Sequence, residues 1–336
     1  MIEQVLAWGN MCEAWQQVEA AKSAPGVDEV TVKRWARNWE TNLHRLIDQV
    51  RTNTYHPNRP RRFKVAKKDG TYRELSILTV TDRVMQRAVL NVVNPLFDVR
   101  FLDCSHGYRA NRSVATAVNQ VLCWRDKGLR WVVDADIASC FDSLDHEVLM
   151  SLLQRVVKDA VLLNVMGLWL KVGAKKKNSK SQNPNIQNPK IQNSNVPNPK
   201  FVVSEAEPSE TANLKSVGVP LGAVISPLWC NVYLHQLDAR LITTGWHLVR
   251  YADDFVVMTQ TEAEAQRVMK ATQHILNDLR LELSARKTRI VSFDEGFDFL
   301  GVTFYRDTYS YTWEQKRIEV QGRNVRWLYR HLPKFY

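Results

Sequence analysis

Apolar residues change their spacing several times along this chain, and each change marks an element. Residues 1–30 read as helix at first and break at Ala24-Pro25-Gly26-Val27-Asp28, a proline–glycine loop signal. From Arg34 to Val50 the residues Trp35, Trp39, Leu43, Leu46, Ile47 and Val50 fall on one helical face, the stripe a helix buries in a core. Phe63-Lys64-Val65 and Leu75-Ser76-Ile77 flank the turn Lys68-Asp69-Gly70-Thr71, which predicts a hairpin. Thr81 reads as the N-cap of a helix with Val84, Met85, Ala88, Val89, Val92, Val93 and Leu96 inward, ending near Pro95. Ser113 caps another, which buries Val114, Ala117, Val118, Val121 and Leu122.

The second half alternates in the same way. Trp131 to Ile137 is a strand, and helical spacing runs from Leu144 to about Val157. Val217-Gly218-Val219-Pro220-Leu221-Gly222 is a turn, followed by a helix from Ser226 through Leu241. His247–Tyr251 and Phe255–Met258 are two short strands joined at Ala252-Asp253-Asp254. A helix over Glu262–Leu281, a segment from Leu283 to Phe293 and a strand over Phe297–Phe304 complete the pattern. Between the halves, Lys175 to Lys200 is low in complexity and dominated by Asn, Pro, Lys and Gln. It has too little apolar surface to offset its chain entropy and is expected to be a disordered insertion.

Charge sharpens this picture locally. The net charge is +11, but seven lysines between residues 171 and 200 carry +7 of it and leave +4 for the rest. The informative clusters are therefore local. Arg59, Arg61, Arg62, Lys64, Lys67, Lys68 and Arg73 face only Asp69 and Glu74 around the first hairpin, which suits a triphosphate or a nucleic-acid backbone. Gly107 to Ser113 carries Arg109 and Arg112 at a helix start, a place that grips phosphates through side chains and free N–H groups. Residues 324–336 mix Arg326, Trp327, Tyr329, Arg330, Lys334 and Tyr336, able either to stack on bases or to pack on the core. The five cysteines form no C-x-x-C pair, which speaks against zinc and a disulfide framework. No apolar run is long enough to span a bilayer, and residues 1–10 lack a signal-peptide layout, so a cytoplasmic protein without membrane partner is expected. At 336 residues, two or three subdomains are expected.

Acids supply the candidate chemistry. Asp253 and Asp254 sit side by side at a hairpin tip, where they repel each other. Alone they would be an ordinary acidic turn. Asp134 and Asp136 share one face of the strand Trp131–Ile137, and unpaired carboxylates in a buried strand are costly. The strand and the hairpin can converge on one antiparallel sheet. Asp136, Asp253 and Asp254 could then hold two divalent cations about 3.5–4 Å apart, one activating an attacking 3′-hydroxyl and one neutralising a leaving pyrophosphate.

The ordered set of motifs resembles the reverse transcriptases, specifically the bacterial group II intron-like lineage. Ala24–Asp28 looks like the N-terminal block; Lys67-Lys68-Asp69-Gly70-Thr71-Tyr72-Arg73-Glu74-Leu75 through Asp82–Gln86 looks like the fingers block; Ser105-His106-Gly107-Tyr108-Arg109 with Arg112-Ser113 matches the next. Asp136 with Phe141, Pro220-Leu221-Gly222 with Ser226-Pro227-Leu228, and Tyr251-Ala252-Asp253-Asp254 match the palm blocks. Leu283-Ser284 with Lys287-Thr288, and Phe299-Leu300-Gly301, complete the series.

The resemblance implies an α+β right-hand polymerase with fingers, a palm of antiparallel sheet packed on helices, and a short or incomplete thumb. It implies a helical extension over 1–50, fingers with the start of the palm over 51–125, palm over 126–174 and 216–305 around an insertion at 175–215, and the start of a thumb over 306–336. Asp136, Asp253 and Asp254 are implied as catalytic, metal-associated carboxylates for two Mg²⁺ ions, with Mn²⁺ able to substitute. Lys67 and Arg73 are implied to meet the incoming triphosphate, and Phe141 to screen the sugar 2′ position in favour of dNTPs. Arg109, Arg112, Tyr251 and Lys287 are expected beside primer and template, and Asp134 in a supporting role. The implied partners are an RNA template, a DNA or RNA primer, and dNTPs.

Two departures stand out. Leu221 occupies a position where the family usually has Gln, which bears on template contacts or fidelity, and about 35 residues follow Gly301, which leaves no room for an intron maturase's further domains. The wording of Gly245–Tyr251 and Glu295–Leu300 is similar to CRISPR-associated reverse transcriptases, which implies cDNA synthesis for spacer acquisition beside the CRISPR adaptation integrase. Rival readings are a catalytically weak or inactive nucleic-acid-binding subunit, and a stand-alone antiphage defence or retroelement reverse transcriptase. An RNA-synthesising polymerase is disfavoured by bulky Phe141.

Overall fold

The computed structural model describes residues 1–66, 70, 72–174 and 216–332. Lys67, Lys68, Asp69, Thr71, the insertion at 175–215 and the end of the chain with Lys334 and Tyr336 lie outside the described residues.

The chain opens with helices α1 (Ile2–Val5), α2 (Trp8–Ala20), α3 (Val32–Ala36) and α4 (Trp39–Arg51). The single helix expected over 34–50 is thus two. Asn38 leaves the helical region, and the Asn42 side-chain amide donates to the Trp35 carbonyl (3.1 Å), which a continuous helix would bond to the Trp39 N–H. The break lets Trp35 pack on Trp15 and donate its indole N–H to Thr81 Oγ1 (3.1 Å).

Strands β1 (Arg61–Ala66) and β2 (Tyr72–Ile77) form the expected antiparallel hairpin, and helix α5 (Val80–Asp98) follows. Its N-cap is Thr79, not Thr81. Thr79 is extended, and its hydroxyl accepts from Asp82 N (3.1 Å) and donates to the Asp82 carboxylate (2.6 Å). The helix runs past Pro95 to Asp98, because a proline this close to the end removes only one of the last hydrogen bonds. Helix α6 (Val114–Asp126) begins in a reciprocal capping box between Ser113 and Thr116. Then come β3 (Trp131–Asp136), α7 (Cys140–Ser143), α8 (His146–Val156) and α9 (Ala160–Gly173), the last not anticipated. Beyond the insertion lie α10 (Ser226–Thr243), β4 (His247–Tyr251), β5 (Asp254–Thr259), α11 (Glu262–Asp278), β6 (Arg289–Ser292), β7 (Phe297–Phe299), β8 (Val302–Tyr305), β9 (Thr308–Trp313), β10 (Lys316–Gln321) and α12 (Leu328–His331).

The central sheet is antiparallel in the order β4-β5-β3-β6. Strand alternation divides its side chains between two cores. Val133, Ala135, Phe255 and Val257 enter a large core shared with α5, α8, α9, α10 and α11. Val132, Val249, Val256 and Met258 enter a second core with α6 and the aromatic residues Phe293, Phe297, Phe304, Tyr309 and Tyr311. Asp134, Asp136 and Asp254 have the parity of Val132 and Val256, so the acids stand where the apolar cover of that face ends.

The remaining strands make a sheet ordered β10-β9-β8-β7. The one strand expected over Phe297–Phe304 is a hairpin, because Leu300 and Gly301 both have positive φ (54° and 77°), the signature of a two-residue turn. Residues 306–321, expected to begin a thumb, lie largely in β9 and β10 of this sheet. No helix among the described residues is long and apolar enough to cross a membrane.

Candidate active site

The β4–β5 hairpin pairs Tyr251 with Asp254 and leaves Ala252 and Asp253 as its turn. Ala252 adopts φ 59°, a left-handed conformation that a residue with a Cβ holds only when its surroundings require it. The surroundings are the segment Cys104–Gly107, which runs beside β4. Arg250 N donates to Cys104 O (2.7 Å) and His106 N to Arg250 O (2.8 Å). Gly107 lies so close that a Cβ there would stand 2.5 Å from Ala252 N. Asn231 on α10 holds the Gly107 carbonyl through its side-chain amide (2.8 Å).

Strand β3 pairs Asp136 directly with Asp254, which brings the strand acid to the hairpin tip as expected. Lys287 Nζ meets Asp136 Oδ1 at 2.9 Å, and Asp134 pairs with Arg289 Nε at 3.1 Å. Burial raises the Asp253 carboxyl above its usual value and the negative charge of Asp136 adds to this, while Arg73 and Lys287 oppose it. Asp254 is pushed up to about 7, by burial first and then by Asp134, Asp253 and Asp136. Arg73 itself is exposed on β2, so a cation of the first hairpin is near enough to act on the carboxylate turn.

Asp136 and Asp134 each spend an oxygen on a cationic side chain, and among the described residues no three acidic, histidine or cysteine side chains stand as a ready metal ligand set. The charge pattern still suits a divalent cation. Burial and neighbouring negative charge raise the proton affinity of Asp253 and Asp254, and hard Mg²⁺ or Mn²⁺ takes oxygen donors of this kind. A pH dependence follows. Between about pH 4 and 7 the folded chain keeps a proton on Asp254 that the unfolded chain has released, so stability falls as pH rises through that window. Denaturant midpoints of metal-free protein measured across it should decline, and Asp254→Asn should flatten the decline; an unchanged slope in the variant would count against this electrostatic account.

Phe141 is 9% exposed on α7, and its carbonyl accepts from Val219 N (2.7 Å), tethering the loop that carries Leu221. Leu221 takes part through its backbone, whose carbonyl accepts from Ser76 N on β2 (2.8 Å). Gly222 needs to be glycine twice over: its φ is 104°, and a Cβ would stand 2.5 Å from Ser76 O. Tyr251 is half-buried, and its hydroxyl has no hydrogen-bond partner among the described residues.

Arg109, expected beside primer and template, is engaged within the protein. Its guanidinium is paired with Asp98 (2.7 Å), donates to the carbonyls of Leu102, Ser105 and Asp98, and lies against Phe101. These bonds hold the loop. Arg112 pairs with exposed Asp103 at the surface, and Lys67 lies outside the described residues.

Sequence reasoning passed over the group beneath the turn. Arg250 is fully buried and hydrogen-bonds Asp238, Asn231, Ser105 and the Ala252 carbonyl. A signal was available: strand parity puts Arg250 on the inward face with Leu248, and a cation there requires a buried acid.

A family model for reverse transcriptase (RNA-dependent DNA polymerase) matches residues 65–304. Protein YkfC of Escherichia coli K12 is 27% identical, over 87% of this chain and 79% of its own length. The group II intron-encoded protein LtrA of Lactococcus lactis subsp. cremoris is 29% identical, over 74% of this chain and 36% of its own length. Among solved structures, a chain of a partial Cas6-RT-Cas1–Cas2 complex aligns with 82% of this chain and 41% of that one, at 21% identity and a TM-score of 0.42. The family model spans most of the sequence, including the β3 strand and the β4–β5 hairpin, and the chain belongs to the reverse transcriptases, the RNA-dependent DNA polymerases.

Proposed function

We propose that this chain extends a primer 3′-hydroxyl with dNTPs on an RNA template, using Asp136, Asp253 and Asp254 as its metal-holding carboxylates. The observation that carries the reading is the register pair Asp136–Asp254 beside Asp253 at the β4–β5 turn. Bound Mg²⁺, two ions by this reading with Mn²⁺ able to replace them, supplies a sharpened 3′-oxygen nucleophile and charge neutralisation at the leaving pyrophosphate. Arg73 and Lys67 bind the triphosphate. Lys287 holds Asp136 in place and, with Tyr251 and Arg112, borders the primer and template. On this reading residues 51–125 supply the fingers, 126–174 and 216–305 the palm, and 306–336 the start of a thumb.

Primer extension on an RNA template with either metal tests the proposal. Wild-type protein that incorporates no dNTP on any primed template with Mg²⁺ or Mn²⁺ would overturn it, and RNA binding without extension would select the inactive binding subunit.

Phe141 is proposed to exclude the 2′-hydroxyl. Phe141→Ala should raise use of rNTPs relative to dNTPs by at least about tenfold, the scale on which pocket shape discriminates. Single-nucleotide kcat/KM ratios measure it, and an unchanged ratio removes Phe141 from this role.

For the biological setting we propose cDNA synthesis during CRISPR spacer acquisition, with the adaptation integrase as partner; the wording of Gly245–Tyr251 and Glu295–Leu300 supports it. Spacer acquisition from RNA that persists at the wild-type level in an Asp253→Ala strain would favour the stand-alone defence or retroelement setting.

A further inference from the structure

Arg250 and Asp238 are an ion pair with both side chains 0% exposed, at 2.6 Å. Every N–H of the guanidinium has an acceptor. Nε and one N–H of Nη2 bind the two Asp238 oxygens, the other N–H of Nη2 binds Ser105 Oγ, and Nη1 binds Asn231 Oδ1 and Ala252 O. A buried ion pair is a poor source of stability, since desolvation offsets most of the attraction and apolar residues of similar volume often do as well. What the fork supplies is a donor with a fixed direction.

That donor ends on the peptide that carries Asp253. The Ala252 carbonyl belongs to the Ala252–Asp253 peptide unit, and Nη1 holds it at 2.8 Å while Ala252 sits in its left-handed conformation. Ser105 and Asn231 fix the same guanidinium from the neighbouring segment and from α10.

We propose that Arg250 is a positioning residue: through the Ala252 carbonyl it sets the orientation of the Asp253 carboxylate, and Asp238, Asn231 and Ser105 serve to hold the guanidinium plane. The inference rests on the reading of Asp253 as a metal carboxylate. It separates two jobs that a buried arginine could do, stabilising the fold and aiming the turn.

Arg250→Lys distinguishes them, because lysine can keep the charge pair with Asp238 but cannot fork to Ala252 as well. The measurements are Mn²⁺ affinity from the electron paramagnetic resonance of free Mn²⁺, single-turnover incorporation resolved into rate constant and nucleotide affinity, and the melting temperature. Leu122→Ala, a truncation in the other core, controls for loss of stability alone. Arg250→Lys should weaken Mn²⁺ binding about 10-fold, as loss of a partner behind a metal ligand does. The incorporation rate should fall on the order of 100-fold, as for a misplacement near 1 Å, with nucleotide affinity within about twofold. Leu122→Ala should lower the melting temperature without this split. Wild-type Mn²⁺ affinity and rate in Arg250→Lys, or equal losses in Leu122→Ala, would overturn the proposal. Should Arg250→Lys fail to fold, Asp238→Asn, which removes one of the two oxygens that fix the guanidinium plane, replaces it, and wild-type Mn²⁺ binding there would overturn it too. Equal Mn²⁺ binding by wild type and Asp253→Ala would instead remove the metal-carboxylate reading on which the inference stands.

Discussion

Asp253→Ala should abolish primer extension while leaving the fold as stable as before, or more so. Metal-assisted stabilisation of a phosphoryl-transfer transition state is worth several kcal/mol. At 1.36 kcal/mol per factor of ten, its loss is on the order of a 10³-fold fall in rate. The stability half of the expectation comes from electrostatics. Burial and the charge of Asp136 both raise the Asp253 carboxyl, so its ionised form works against folding near neutral pH, and alanine removes that conflict. Single-turnover extension and thermal melting measured side by side check both halves. Extension above a tenth of the wild-type rate would remove Asp253 from the reaction, and a clear drop in melting temperature would overturn the electrostatic half.

Gly107→Ala is expected to be nearly as damaging from outside the carboxylate set. The added Cβ would stand 2.5 Å from Ala252 N and 3.1 Å from the Tyr251 carbonyl carbon, both backbone atoms that cannot rotate away. Either the segment 104–107 lifts off β4 or the turn moves outward. Overpacking of this sort costs about 1–3 kcal/mol. A shift approaching 1 Å at the turn would cost on the order of 10²-fold in rate. The diagnostic result is a loss of incorporation larger than the loss of stability can explain, because protein that remains folded carries a displaced Asp253. Full activity in a folded Gly107→Ala protein would mean that the contact between loop and turn is slack.

How much of this was legible in the chain itself divides along physical lines. Elements defined by side-chain period were readable: the hairpin at Tyr251–Asp254, the strand ending in Asp136, and the helix capped by Ser113 follow from alternation, turn chemistry and capping. Features decided by a competing local bond were not. The helix over 34–50 breaks because the Asn42 side chain takes one carbonyl, and Thr79 displaces Thr81 as cap because it alone is extended at the helix start. The doublet Leu300-Gly301 hid a turn inside an apolar run, since leucine seldom takes positive φ. Tertiary pairing was the least visible. The partners of Arg109, Asp98 and three carbonyls, have no local signature, and strand parity demands a buried acid for Arg250 without saying that it is Asp238.

The segment Cys104–His106 has one more consequence. Strand β4 is an outer strand of the central sheet, and an outer strand offers unpaired N–H and C=O groups to any extended chain that approaches. At Arg250 both groups are already taken, by Cys104 O and His106 N. The short stretch that shapes the carboxylate turn therefore also shields the sheet's flank from self-association. Damage to this loop would strip that shield in the same event that disturbs the chemistry, so insolubility and inactivity would arise there together, from one lost pair of hydrogen bonds.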